Sequence, residues 1–445
     1  MSGFNAGTQN KLLHFDYAHG KPGYAASKDV SKQLYAVAHF NTKRYNSLPL
    51  MIKKVFIFLS IGVFASSLGE GIVSPLLPLY IRDLGATGIW LGITISAVFI
   101  SNSVAVPIFG NLSDKKGRKP FLLAGFLAIS IISLAYLLVK EVTLLTLIRF
   151  VHGAAGALIA PIALAYIGDL SPEGEEGKWM GYASATFFSG FGLGPFLGGL
   201  LTERYGISAN FISLSGLNLF AFLIALFLLP EVSRRKTSEK PHISLKEISA
   251  SNMVKGIFSF RLANALGFGA IGTFLPIFAA AIGLKTSQIG ILLSVNILAV
   301  TLFTPLVGIV ADKFSKRKIT ILGSLLLTAF LAVIPAAGSF WPLLAILLIQ
   351  GIGSSICGTA SSALTVEEGR RIGMGSAMSM MFLAQSIGMA SGPIASGGIA
   401  QIANINWVFY FGGLMNLLGT GLFIWFTRKK RADVTRISTS RSASP

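Results

Sequence analysis

Apolar runs long enough to cross a lipid bilayer recur along almost the whole chain, from Val55 to Phe426, separated only by short polar gaps. About 20 consecutive apolar residues span a hydrocarbon core as a helix. No water is available there to satisfy a free backbone amide, so each run is expected to be helical. Reading the runs between charge clusters places twelve helices near 54–81, 88–110, 119–139, 142–168, 179–202 and 207–230, then 253–281, 286–310, 319–338, 340–364, 373–401 and 406–427. Of the 445 residues 53% are hydrophobic and 12% charged, against about 25% charged in an ordinary globular domain. A water-soluble fold cannot hide that much apolar surface. The expectation is an all-α membrane protein whose first partner is the lipid bilayer.

The net charge of +19 does not point to nucleic acid, because the basic residues sit in gaps and tails instead of on one face. It reads as topology: loops on the cytoplasmic side carry the excess of Lys and Arg. One alternating set of gaps holds Lys53 and Lys54, Lys115 to Lys119, Arg234 to Lys236, Lys313 to Lys318, Arg370 and Arg371, and Arg428 to Arg431. The other set holds Arg82, Lys140, Arg204 and Lys285 singly, and Asp169 to Lys178 is a weak, acidic member of the first. Both termini are therefore expected in the cytoplasm, in a multi-pass protein of the cell inner (plasma) membrane. The lone Cys357 excludes intramolecular disulfides and multi-cysteine metal sites. Residues 1–50 are polar, lack the apolar core of a secretory signal and read as a disordered tail; Met51, followed by Ile52, Lys53 and Lys54, is a candidate initiator.

The chain repeats itself. A single offset of 198 aligns Leu68 with Leu266, Gly69 with Gly267, Pro78 with Pro276, Pro107 with Pro305, Asp114 with Asp312, Gly153 with Gly351, Gly194 with Gly392 and Pro195 with Pro393. An even number of helices per unit lets both halves enter the membrane in the same direction, related by an axis along the membrane normal. The expected organisation is two pseudo-symmetric six-helix bundles over 51–230 and 253–430, a cytoplasmic linker over 231–252 and a tail over 431–445. That is the plan of an alternating-access carrier with its site at the interface of the halves.

Gly110-Asn111-Leu112-Ser113-Asp114-Lys115-Lys116-Gly117-Arg118-Lys119 resembles the loop signature of the major facilitator superfamily, with a degenerate copy from Gly308 to Lys313. Leu68-Gly69 with Pro75 and Pro78 in the first run, and Gly181, Gly190, Gly194-Pro195 and Gly198-Gly199 in the fifth, resemble the motifs of its twelve-helix drug/proton antiporters. Leu145 to Gly153 is similar to the family's fourth-helix motif, with His152 where glutamine is usual; the repeat position has Gln350-Gly351, but Leu347 replaces the arginine. The resemblance covers about residues 51–430. It implies a transporter whose loop residues, here Gly110, Asp114, Gly117, Arg118 and Asp312, form a latch for the outward-facing state.

Ionisable residues inside spans are costly and mark function by default. Glu70 lies 12 residues from Arg82, roughly 18 Å along a helix, and Arg149 lies 8 residues from Glu141, roughly 12 Å. Such depths allow Glu70 and Arg149 to pair, either as a proton or substrate site or as a static ion pair. His152 joins them as a group able to titrate near neutrality. Asn102, Asn264, Asn296, Gln350 and Gln385 are expected to bridge helices, whereas Arg261, some nine residues into its run, could instead snorkel to the cytoplasmic surface. Gly267 to Gly272 matches a dinucleotide-binding glycine pattern, yet lies mid-span with no preceding strand.

No phosphate-binding loop and no convergent catalytic set is present in the sequence, which argues against ATP-driven transport and against an enzyme. No cofactor and no metal site is expected. The leading expectation is a monomeric secondary transporter exporting a small hydrophobic or amphipathic molecule in exchange for protons. A carrier for a specific metabolite or sugar, a membrane-embedded enzyme and a non-transporting receptor are the alternatives.

Overall fold

The computed structural model describes residues 52–172, 175–231, 251–372 and 374–428, which contain helices and no strand. The tails 1–50 and 431–445 and nearly all of the linker lie outside the described residues. The helices are α1 (Ile52–Asp83), α2 (Gly88–Lys116), α3 (Lys119–Leu138), α4 (Val142–Leu170), α5 (Glu176–Tyr205) and α6 (Ile207–Leu228), then α7 (Asn252–Ala281), α8 (Thr286–Lys313), α9 (Lys316–Ala336), α10 (Phe340–Ile372), α11 (Met374–Ile402) and α12 (Ile405–Arg428). Among the described residues twelve helices thus stand where twelve runs predict them. All but α11 are long and apolar enough to cross a membrane. The sequence of α11 is instead rich in Gly, Ser and Ala, because it packs closely against both α7 and α2.

The repeat is physical as well as sequential. Ser66 of α1 donates to Asn218 of α6 at 2.8 Å, and 198 positions later Asn264 of α7 donates to Asn416 of α12 at 3.1 Å. Arg118 meets Asp169 at 3.1 Å, and their counterparts Lys316 and Glu367 meet at 2.6 Å. Lys119 Nζ donates to the Leu226 carbonyl at 2.9 Å, and Arg317 donates to the Ile424 carbonyl at 3.3 Å. The Leu226 carbonyl is among the last four of α6, which the helix itself leaves unpaired; the Ile424 carbonyl lies one residue before the last four of α12 and accepts from Arg317 as an additional donor.

The halves join through two symmetric crossings, α5 on α8 and α2 on α11. A Cβ added to Gly290 would collide with the Pro195 carbonyl oxygen, and one on Gly92 with that of Pro393. Gly199 likewise faces the Thr286 carbonyl, and Gly397 that of Gly88. Next to each crossing one side chain reaches the first turn of a helix in the opposite half. Glu203 accepts from the Ser287 N–H at 3.3 Å, and Gln401, its repeat counterpart, accepts from the Ile89 N–H at 3.4 Å. First-turn amides have no partner within their own helix, so these are reciprocal clamps.

Among the described residues, every side-chain hydrogen bond between the halves lies at this end: Glu203 to Ser287, Gln401 to Ile89, Thr286 to Gly199 and Ser294 to Phe196. At the other end, which carries the basic loops, the ion pairs stay within a half. The conformer is closed opposite the basic loops. Losing both clamps in Glu203→Ala/Gln401→Ala should raise the population open at that end about tenfold or more, at about 1 kcal/mol for each lost cap. The measurement is the maleimide labelling rate of a Ser294→Cys reporter, which is buried at the α5–α8 crossing; an unchanged rate would show that the clamps are idle.

Candidate functional site

Two interrupted helices build the site. In α1 the helix loosens into a turn over residues 74–76, where Pro75 and Pro78 deprive the ladder of two donors. In α4 it loosens over 157–159, just before Pro161. Glu70 sits one turn before the first interruption and His152 just over one turn before the second. Their repeat counterparts in α7 and α10 lie in uninterrupted helices, Asn252–Ala281 and Phe340–Ile372.

His152 Nε2 stands 2.6 Å from Glu70 Oε1, and His152 Nδ1 stands 3.0 Å from the Tyr136 hydroxyl. Ser74 donates to the other Glu70 oxygen at 3.2 Å. The His152 side chain is 3% exposed and that of Glu70 26%, so the carboxylate is the open end of the chain. Tyr136 is fixed by stacking on Phe211, ring centroids 5.0 Å apart. With neutral histidine the tyrosine hydroxyl donates to Nδ1 and Nε2–H to the carboxylate; with imidazolium both ring nitrogens donate. Three groups thus share a continuous hydrogen-bonded path across α3, α4 and α1.

The expected direct pair of Glu70 with Arg149 is not formed. Arg149 is 3% exposed and lies within Coulombic reach of Glu70, but His152 occupies the carboxylate. The physical reason is the turn of α4: three residues past Arg149 the chain has advanced about 4.5 Å, and the imidazole is the group brought to the acid. Among the described residues no acceptor lies within hydrogen-bonding distance of the Arg149 Nε.

Glu70 is shared by two cavities. One, of about 300 Å³, lies between the halves and is bordered by Glu70, Arg149, Phe187, Phe268, Asn296 and Gln350 among others. The second, of about 160 Å³, lies within the first half on the side of the basic loops and is bordered by Glu70, Asn102 and His152. The first is mostly apolar, with Phe99 and Phe191 adding to the aromatic lining; Phe187 and Phe191 stack nearly parallel at 6.1 Å.

The remaining expected residues fall into separate groups. Asp114 and Arg118 meet at 2.5 Å, and Arg118 also binds Asp169 and Ser113. Asp312 is exposed and makes no ion pair among the described residues. Gly110 has open space around it, whereas Gly117, at φ +94°, takes a conformation that favours glycine and abuts Glu231. In α5 the glycine spacing serves two faces. Gly190, Gly194 and Gly198 lie against the backbone of α1, and Pro195 and Gly199 against α8; Gly181 touches nothing. Asn102, Asn264 and Asn296 bridge helices as expected, while Gln385 is exposed. Arg261 does not snorkel: it donates to the Gly358 carbonyl at 3.0 Å and Ser362 at 2.6 Å within the second half. Cys357 is buried. Among the described residues no group of three or more His, Cys, Asp or Glu is placed to hold a metal ion.

Tyr136 and Ser74 belong to the site without having been singled out in the sequence. Serine four residues after an intramembrane acid is a readable signal; a tyrosine at the end of α3 carries none. Gly194→Val should destabilise the protein by about 1–3 kcal/mol or more, since its Cβ would enter the Gly71 backbone. Gly181→Val should be neutral by comparison, and thermal unfolding in detergent compares the two.

The sequence profile of the Major Facilitator Superfamily matches residues 59–263 and 257–444. An uncharacterised transporter of this type from Methanocaldococcus jannaschii is 28% identical over 374 residues, covering 82% of this chain and 96% of its own. Multidrug resistance protein 2 of Bacillus subtilis is 28% identical over 396 residues, covering 85% and 97%. Among solved structures, a bacterial homologue of the human lysosomal transporter Spinster, in an inward-facing and unoccupied conformation, superimposes with a TM-score of 0.70 at 14% identity, covering 85% of this chain and 97% of its own.

Proposed function

From the premise that this chain belongs to the major facilitator superfamily and is a transporter, not an enzyme, we propose that it exports small hydrophobic or amphipathic compounds across the cell inner (plasma) membrane in exchange for protons. A monomer suffices, because one chain supplies both halves of the cavity. The observation that carries the reading is the 2.6 Å contact of Glu70 with a buried His152 at the junction of two cavities. A carboxylate and an imidazole in such contact share one proton readily, and placing the pair at a cavity wall lets that proton reach water from one side at a time. The apolar, aromatic lining favours amphipathic cargo over a sugar, which would need many more hydrogen-bonding groups. The multidrug resistance relative points the same way.

With the basic loops in the cytoplasm, this conformer faces inward. Asp114, Arg118 and Asp169 are then in their released arrangement, paired within one half, and we assign to Asp114 and Arg118 the latch that closes the cytoplasmic end in the opposite state.

The test is flux in proteoliposomes under an imposed pH gradient. Glu70→Gln should lower gradient-driven transport by about tenfold or more while passive exchange of substrate persists. His152→Gln, which installs the residue of the second half, should fold normally and weaken the same dependence less. Full gradient dependence in Glu70→Gln would remove the coupling role.

A further inference from the structure

The central cavity is bordered by hydrogen-bond donors that the protein leaves only partly matched, and they come from opposite halves. The first is Arg149 of α4: it is 3% exposed, borders the cavity, has no partner at Nε and forms no ion pair among the described residues. The Tyr136 hydroxyl lies within hydrogen-bonding reach of it as a neutral acceptor and also engages His152. A buried guanidinium with no ion-pair partner and one neutral hydroxyl beside it is costly, so a further acceptor is expected to enter from the cavity.

The second donor is fixed by a chain of contacts. Asn296 Nδ2 donates to the Leu347 carbonyl at 2.8 Å, which sets the orientation of its amide. The same nitrogen faces the Gln350 side chain, so the Gln350 atom it meets is the oxygen, Oε1. The Gln350 Nε2 is thereby left free, with no acceptor among the described residues, on a side chain that is 3% exposed and borders the cavity. Gln350 is also the repeat counterpart of His152, and Phe268 that of Glu70. The second half has therefore kept the place of the proton-sharing pair and filled it with a non-titrating donor and an aromatic ring. The one carboxylate bordering the cavity, Glu70, has both oxygens engaged, by His152 and Ser74.

We propose that Arg149 and Gln350 together recognise the polar end of the transported molecule, that this end is an oxygen acceptor such as a carbonyl or carboxylate, and that its planar apolar body lies among Phe99, Phe187, Phe191 and Phe268. This rests on the central cavity being the transport site, but not on the proton coupling. It assigns selectivity for the polar group to a donor pair split between the halves, one member of which is uncharged and silent to pH.

The test is direct binding of matched naphthalene probes to the purified full chain in lipid nanodiscs. The probes carry an acetyl group, a carboxymethyl group, an ethyl group or an aminoethyl (ammonium) group. The acetyl and carboxymethyl probes should bind about tenfold tighter than the ethyl probe, a factor in keeping with hydrogen bonds to a charged donor. The carboxymethyl probe should gain over the acetyl probe if the charge of Arg149 is felt in full, and equal binding would assign recognition to the acceptor oxygen alone; either supports the site. Arg149→Met and Gln350→Leu should each erase most of the advantage while leaving the ethyl probe unchanged, an outcome that loss of folding cannot imitate. Equal binding of acetyl and ethyl probes to the wild type, tightest binding of the ammonium probe, binding of none, or equal loss of all probes in both variants would each overturn the proposal. Gradient-driven flux is measured in parallel: acceptor-selective binding without such flux keeps this site and removes the coupling.

Discussion

Where α5 crosses α8, the Pro195 carbonyl oxygen occupies the space that a Cβ of Gly290 would need, and where α2 crosses α11 the Pro393 carbonyl does the same at Gly92. Lipid supplies no hydrophobic force to press helices together, so contact between two membrane-embedded bundles depends on how closely their backbones approach. Glycine at these two crossings permits an approach that any side chain would forbid. The cavity, the clamps at the helix ends and the separation of the basic ends all take their geometry from them. The same economy explains the glycine spacing of α5, where one face seats α1 and the adjacent face seats the other half.

The two halves share a packing plan and differ where chemistry occurs. Ser66 with Asn218 and Asn264 with Asn416 hold equivalent helices by equivalent bonds. Yet Pro75 and Pro161 loosen α1 and α4, while Thr273 and Thr359 at the repeat positions leave α7 and α10 continuous. The first half thus holds Glu70 and His152 beside backbone that can bend, and the second offers Phe268 and Gln350 from straight helices. A duplicated framework has been specialised by a few residues at one depth.

Most of the architecture was legible in the amino-acid sequence, because length and apolarity are one-dimensional properties and the offset of 198 carries the symmetry. Depth within the membrane is also one-dimensional, which is why Glu70, Arg149 and His152 stood out as one group. Azimuth is not. Whether Arg149 or His152 faces Glu70 depends on the rotation of α4 about its axis and on the interruption in α1, and the structure decides for His152. Arg261 shows the same limit: its depth permits snorkelling, but its rotation brings it to Gly358 and Ser362. Tyr136 carries no signal of charge or spacing and was visible only once α3 was placed beside α4.

The reciprocal clamps are alike in position and unlike in charge. Glu203 has Lys285 3.8 Å away and an amide dipole to hold, whereas Gln401 offers a neutral carbonyl to Ile89. An exposed carboxylate contact weakens as salt rises, and a neutral amide contact scarcely does. The seam between the halves therefore has a conditional side along α5 and α8 and an indifferent side along α2 and α11. In brine the first would part before the second, so that the molecule would unfasten like a door on one hinge instead of parting evenly down the middle.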